Sequence, residues 1–340
     1  MRPEVLIAAY IRQDLWDAFM KEQLSGPEAP GESKCVSDTV HRFSHQAMAS
    51  PWEILVAYDD AIYAGQAAQA AFEEVDRIER EISRFVATSD VAQINNLAPG
   101  VWARVGEHAI ECLKAAERAH ADTGGAFDVT IGPLLACWRN PDRSPRTPSD
   151  AEWAAARART GMRLIEVDMQ ERRVRVHAAG IQVDLGGIGK GYAIDRAAEI
   201  LKEWDIGSGL INAGDSSVYG YGRQPGQDGW PVGVGGVGEE TAAPYRLLLR
   251  GQSLSGSGVQ VRGRHIMDPR TGRPAPGKRA VWALHPSATT ADALSTAFFV
   301  MKPEEVAAYC RLHADTSAML VLEGGDERLQ YGTWTLCAAR

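Results

Sequence analysis

No stretch of this sequence approaches the roughly 20 consecutive apolar residues that a helix needs to span a bilayer. Cysteine is scarce and unpatterned: Cys35, Cys112, Cys137, Cys310 and Cys337 are odd in number, scattered, and form no CxxC. That excludes a cysteine metal set and an evident disulfide framework, and it favours a reducing compartment. An excess of positive charge is also missing. The formal net charge is -8, which argues against a general nucleic-acid or anionic-membrane binder while leaving room for a local basic pocket. There is no solenoid-period repeat and no low-complexity tract. The first residues, "MRPEVLIAAYIRQDLWDAFMKEQ", lack the long apolar core and small-residue cleavage site of a signal peptide, because Arg12 and Asp14 interrupt the apolar run. The expectation is a cytoplasmic protein with no transmembrane segment.

What is present is ordinary for a globular chain of 340 residues: 45% hydrophobic and 24% charged. Leu6, Ile7, Tyr10, Ile11, Leu15 and Phe19 recur at helical spacing, and "LSGPEAPGESK" (24–34) has the composition of a linker. Residues 1–38 are therefore expected to be a helical extension with its linker, and 39–340 the main domain. "WEILVAYD" has strand character. From Ala64 to Phe85, Ala71, Val75, Ile78 and Ile82 mark an amphipathic helix. "EHAIECLKAAERAHADTGG" predicts a second, closed by Gly124 and Gly125. "RNPDRSPRTPSD" predicts a surface loop whose Asp150 caps the next helix. Strand patterns then dominate: "MRLIEVD", "RRVRVHA", "IQVDLG", "GLINAG", "WPVGVG", "YRLLLRG", "RHIMD" and "VWALHP". Helical patterns interrupt them at "GYAIDRAAEILKEW", "TADALSTAFFVM" and "PEEVAAYCRLHA". The expected class is α+β, with antiparallel or mixed sheets flanked by helices.

The stretch "VDLGGIGKGYAIDRAAEIL" (183–201) has the look of a phosphate cradle. It fails the P-loop template, since Lys190 is followed by Gly191 and Asp184 stands where the first glycine belongs. It fails the dinucleotide fingerprint too, because Gly187, Gly189 and Gly191 are spaced G-x-G-x-G. Two readings remain. The glycines can simply permit a tight turn, or backbone N–H groups at a helix start, with the charge of Lys190, can attract an anion.

Three further stretches carry polar residues in suggestive places. "GGAFDVTIGPLLACW" sets Asp128 before a Gly-Pro turn. "GRHIMDPRTGRPAPG" sets His265 ahead of Asp268-Pro269-Arg270-Thr271-Gly272, a run that is a good turn in its own right. "TTADALSTAFFVM" puts Asp292 and Thr296 one helical turn apart, a spacing that suits a hard cation such as Mg²⁺. Thr289 and Asp292 equally match a capping box. The remaining histidines show no paired spacing with acids or cysteines, and Asp195 has the position of a surface or capping residue.

Together and in this order, these stretches resemble the FAD:protein FMN transferases, the ApbE-like flavin transferases. The matching pieces are "AMAS" (47–50), "SRFVATSDVAQIN" (83–95), "GGAFDVTIGPL", "VDLGGIGKGYAIDR", "LINAGDSSVYGYG", "LSGSG", "RHIMDPRTGRP" and "ADALSTAFFVM", which span residues 42 to 302. The resemblance implies an ApbE-like fold. It also implies an enzyme that uses Mg²⁺ and FAD, transfers FMN to a Thr or Ser hydroxyl of a target flavoprotein, and releases AMP. It places Met48 and Phe85 beside FAD, Ala126, Phe127 and Asp128 along its pocket, and Asp184, Lys190 and Ile266 in contact with it. The Gly187 carbonyl, Asp292 and Thr296 would hold the metal, with Ser295 nearby. His265 would be the base for the acceptor hydroxyl and Asp268 its neighbour. Such chemistry suits these residue types, since phosphoryl transfer is mostly positioning and charge stabilisation and His accepts protons near neutral pH.

The sequence departs from the family's usual pattern in places. Ala49-Ser50 stands for Gly-Thr, Gly256 for Thr, Ala213 for a second Gly, and Phe85 for a common Tyr. Many relatives are exported lipoproteins, and no lipobox is visible here. Two rival activities use the same residues: a metal-dependent FAD pyrophosphatase giving FMN and AMP, and a non-catalytic flavin-binding protein.

Overall fold

In chain order the elements run from a hairpin to a helical layer and then back to strands. The computed structural model describes residues 38–140, 142, 144–214, 216–234, 245–258, 266–325 and 327–338. The expected N-terminal helix with its linker, and His265, lie outside the described residues. The elements are β1 (Val40–Ala47), β2 (Ser50–Ala57), α1 (Ala61–Ile82), α2 (Asp90–Asn95), β3 (Trp102–Arg104), α3 (Glu107–Asp122), α4 (Gly132–Cys137) and α5 (Asp150–Ala158). They continue with β4 (Ile165–Asp168), β5 (Arg173–Val176), α6 (Gly189–Glu203), β6 (Gly209–Ala213), β7 (Ser217–Tyr221), β8 (Trp230–Val234), β9 (Tyr245–Leu249), β10 (Gln252–Gly258), β11 (Met267–Asp268) and β12 (Arg273–Pro274). Last come β13 (Lys278–His285), α7 (Ala288–Val300), α8 (Pro303–Leu312), β14 (Ser317–Leu322), β15 (Arg328–Tyr331) and β16 (Leu336–Ala338).

The central sheet has the order β1-β2-β6-β7-β10-β13-β14-β15, with antiparallel pairing throughout. Both faces are covered. Strand side chains alternate between faces, so Ile54, Val56, Val281 and Ala283 pack toward the helices. Leu55, Ala57, Trp282 and Leu284 point the other way, into a second core under the small sheet β16-β9-β8. Trp52, Trp230 and Trp282 are among the largest fully buried side chains; truncating any one would cost about 3–5 kcal/mol.

The amphipathic helix expected from Ala64 to Phe85 forms as α1. It starts three residues earlier because the Asp60 carboxylate accepts from the N–H groups of Ile62 and Tyr63 at 2.8 and 3.1 Å. It stops at Ile82, where Ser83 turns to extended backbone. Helix α3 ends as expected, with Gly124 and Gly125 at positive φ and the Gly125 N–H reaching back to the His120 carbonyl at 2.8 Å.

Two local expectations are corrected. The cap of α5 is Ser149, which forms a capping box with Glu152, and Asp150 is the first helical residue. "IQVDLG" joins no ladder. Its polar groups are taken by non-strand partners: the Val183 N–H donates to Asn95 Oδ1 at 2.6 Å, and the Asp184 N–H to the Val129 carbonyl at 2.7 Å. Among the described residues, no helix is long and apolar enough to cross a membrane.

Candidate active site

The site lies where α6 and α7 meet the ends of β7 and β10. Helix α7 is buried on nearly every side, with only Thr289, Thr290 and Thr296 less than fully covered. A helix apolar all round must sit inside the molecule, so its polar residues are held in the interior. Asp292 is 5% exposed. Its Oδ2 accepts the Gly191 N–H at 3.0 Å. Burial pushes its carboxyl above the ordinary range, against the opposing pull of the Lys190 ammonium, the Gly191 N–H and the Ser217 hydroxyl.

The capping-box alternative for Asp292 is overturned. The N-cap of α7 is Ser287, whose hydroxyl accepts the Thr290 N–H at 3.2 Å. The rest of that helix start is capped by Asp195 of α6, which takes the N–H groups of Ala288 and Thr289 at 2.8 and 2.9 Å. Asp195 is thus a capping residue, but of a helix distant in sequence.

Three hydroxyls, of Ser257, Ser295 and Thr296, meet on the next turn of α7. Ser295 Oγ donates to the Asp292 carbonyl at 2.9 Å and lies 2.8 Å from Ser257 Oγ; Ser257 Oγ is also 3.4 Å from Thr296 Oγ1. A Cβ on Gly187 would sit 3.2 Å from Thr296 Oγ1 and 3.3 Å from Phe127 Cε2. Gly187, Thr296 and Phe127 therefore adjoin closely. Lys190, at the start of α6, hydrogen-bonds the Ser216 hydroxyl. Asp292, Thr296 and the Gly187 carbonyl offer oxygen alone, the donor type of Mg²⁺. A buried carboxylate whose acidity is weakened by desolvation is a group that a divalent cation would stabilise, so these residues fit the metal.

The remaining candidates surround this centre. Asp184 Oδ1 accepts from the Gly186 N–H at 2.9 Å and Oδ2 faces Arg84 Nε at 3.4 Å. Arg84 also lies over the Phe85 ring, 4.7 Å from its centroid, and that ring is 75% exposed. An aromatic face presented to solvent beside a guanidinium is suited to stacking a flat heterocycle. Met48 is in the β1–β2 turn, its N–H bound to Glu79 Oε2 at 2.7 Å. Ala126 and Phe127 are buried.

Asp128 is turned toward its own chain. Oδ1 accepts from the Thr130 N–H and hydroxyl at 2.8 and 2.6 Å, and Oδ2 from the Met162 N–H at 3.2 Å. Ile266 is buried, and its carbonyl accepts the Ala275 N–H at 2.9 Å. Asp268 opens the expected turn between β11 and β12: its Oδ1 accepts from the Arg270 N–H at 2.9 Å and from Arg270 Nε at 3.1 Å. Arg270 in turn reaches Glu305 of α8 at 3.0 Å. A cleft of about 300 Å³ runs outward from Asp128 and Pro269 between His120, Arg157, Arg163 and Arg270.

Ser216, Ser217 and Ser257 were not singled out by residue type, since hydroxyls within glycine-rich strands carry no distinctive spacing. The departures have structural counterparts. A Cβ on Gly256 would meet the Trp282 ring at 3.2 Å, so the small residue makes room for a buried indole. Ala213 is fully buried at the end of β6.

Comparison with known proteins extends over most of the chain. The model of the ApbE family matches residues 48–320. The FAD:protein FMN transferase of Klebsiella pneumoniae is 28% identical over 315 residues, covering 88% of this chain and 90% of that protein. The Salmonella typhimurium FAD:protein FMN transferase is 28% identical, with 87% and 88% covered. Among solved structures, the ApbE protein of Thermotoga maritima superposes with a TM-score of 0.77 at 33% identity, over 86% of this chain and 97% of that one. The flavinyl transferase ApbE of Pseudomonas stutzeri, in its apo form, gives 0.76 at 27%, over 87% and 95%. The match in sequence and fold over most of the chain makes this protein a member of the ApbE family.

Proposed function

We propose that this protein transfers FMN from FAD to a Thr or Ser hydroxyl of an acceptor flavoprotein and releases AMP. The observation that supports the reading is the junction of α6 and α7, where the buried Asp292 carboxylate accepts the Gly191 N–H and Thr296 adjoins Gly187. In this reading Phe85 and Met48 hold FAD from the surface side, with Asp184 and Arg84 beside them. Lys190 and the N–H groups opening α6 attract the pyrophosphate. Bound Mg²⁺ supplies charge that the developing negative oxygens need. The acceptor hydroxyl oxygen forms a bond to the FMN phosphorus. The bond from that phosphorus to the bridging oxygen breaks, and AMP departs with that oxygen. His265 takes the hydroxyl proton, and the turn at Asp268 carries the segment that follows it.

FAD turnover with and without Mg²⁺, read by chromatography of AMP and FMN, tests this in the presence and absence of an acceptor-flavoprotein fragment. AMP release with flavin fixed to the acceptor is the expected result. FMN and AMP released equally with or without acceptor would instead establish the pyrophosphatase. The Asp292→Ala variant should lose roughly 100-fold or more of the metal-dependent rate, and unchanged turnover would remove Asp292 from the metal site. His265→Ala should likewise slow transfer, and a wild-type rate would refute its role as base.

A further inference from the structure

The Asp195 carboxylate of α6 bonds to the first turn of α7 and its cap. Its Oδ1 accepts the Ala288 N–H at 2.8 Å; its Oδ2 accepts the Thr289 N–H at 2.9 Å, the Thr289 hydroxyl at 2.7 Å and the Ser287 hydroxyl at 2.8 Å. The relation is reciprocal. Asp292 of α7 accepts the Gly191 N–H of α6 at 3.0 Å. Each helix therefore satisfies an orphan N-terminal donor of the other. The two contacts are one turn apart on both helices, Gly191 to Asp195 and Ala288 to Asp292, so together they fix translation of α7 along α6. Close approach is built in, because a Cβ on Gly191 would overlap the Ala288 carbonyl and come within 2.7 Å of Asp292 Cβ.

We infer that Asp195 is a positioning residue for the metal ligands Asp292 and Thr296, an inference that rests on the proposed metal-dependent reading of this site. Gly187 sits just before α6, whereas Asp292 and Thr296 belong to α7, so the ligand set is split between the two helices. Mg²⁺ demands near-ideal octahedral geometry with bonds of about 2.0–2.1 Å. A slide of α7 by a few tenths of an ångström would therefore weaken the metal without touching a ligand. Asp195 opposes that slide at the outer turn, while Asp292 itself does so at the inner one.

The test is a Mn²⁺ titration of the full-length chain, followed by electron paramagnetic resonance with FAD present, on the wild type, Asp195→Ala and Asp195→Asn. Melting temperatures are measured alongside. Asp195→Ala is expected to weaken Mn²⁺ binding by about tenfold or more. Asp195→Asn, which keeps an oxygen for the Ala288 N–H, should weaken it less. Asp60→Ala removes the cap of α1 and serves as control, with a lower melting temperature and wild-type Mn²⁺ affinity. A lower melting temperature with wild-type Mn²⁺ affinity in the Asp195 variants would make this carboxylate a structural cap only and overturn the inference. If Asp195→Ala does not fold, the Asn variant alone decides by the same criterion. A wild type that takes up no Mn²⁺ would overturn the metal reading itself, and the inference with it.

Discussion

At the scale of single residues, the turn between β1 and β2 shows a conflict between sequence and geometry. Met48 and Ala49 both have positive φ, 50° and 55°, as a two-residue turn with the twist of its strands requires. Neither is glycine. A non-glycine residue in this region costs about 1–2 kcal/mol, and the bond from the Met48 N–H to Glu79 helps to hold it there. Strain kept in place by its surroundings is characteristic of binding sites, and Met48 is a residue that the family resemblance sets beside FAD. Ala49→Gly should stabilise the fold by about 0.5–1 kcal/mol, the relief of strain exceeding the extra entropy of the unfolded chain. Urea unfolding of the two proteins measures it; a lower midpoint in the variant would mean that the Ala49 methyl makes contacts that outweigh the strain.

At the scale of elements, the crossing of α6 and α7 controls the site. Gly191→Ala places a methyl against the Ala288 carbonyl and the Asp292 side chain, so the helices must separate. The expected result is a loss of about 3 kcal/mol of stability together with a collapse of metal-dependent FAD turnover. A variant with wild-type turnover would show that the spacing of the two helices does not govern the reaction.

The far end of α7 has its own device. Lys278 of β13 is buried, and its ammonium donates to the carbonyls of Phe299 and Met301 at 3.1 and 2.6 Å. This satisfies two carbonyls at the helix end. Burial lowers its pKa from 10.5 to about 8. A lysine depressed in the folded state costs stability fully below the folded pKa, and the cost fades as pH climbs toward the unfolded value. Between pH 8 and 10.5 the wild type should therefore gain roughly 3 kcal/mol relative to Lys278→Met. Unfolding curves of both proteins at pH 7, 8, 9 and 10 give that difference, and a gap that stays constant would contradict the depressed pKa.

At the scale of the whole molecule, three layers explain why the site is where it is. The helices on one face and the β8-β9-β16 sheet on the other bury the central strands from both sides. At one edge of the central sheet, β1 pairs along its full length with β2.

Periodicity and turn chemistry carried much of this architecture in the sequence itself. The spacing of Ala71, Val75, Ile78 and Ile82 was sufficient for α1. Gly124 and Gly125 sufficed for the end of α3, and alternating apolar residues for β2 and β13, because these signals are local in the chain. Motif order was likewise enough to identify the family. Three features required the folded chain. "IQVDLG" is a good strand in isolation, but its partners are Asn95 and Val129, more than 50 residues distant for the latter in the chain and not part of any strand edge. Thr289 and Asp292 match a capping box, yet Asp195 is the carboxylate that caps, because α6 arrives beside that helix start. Ser217 and Ser257 join the site only because β7 and β10 end beneath α7. Local propensity is set by near neighbours, and the sequence alone determined the long helices, many of the strands and the family on that basis. Which oxygens meet depends on how closely helices and strands pack, and that was decided only by the tertiary structure.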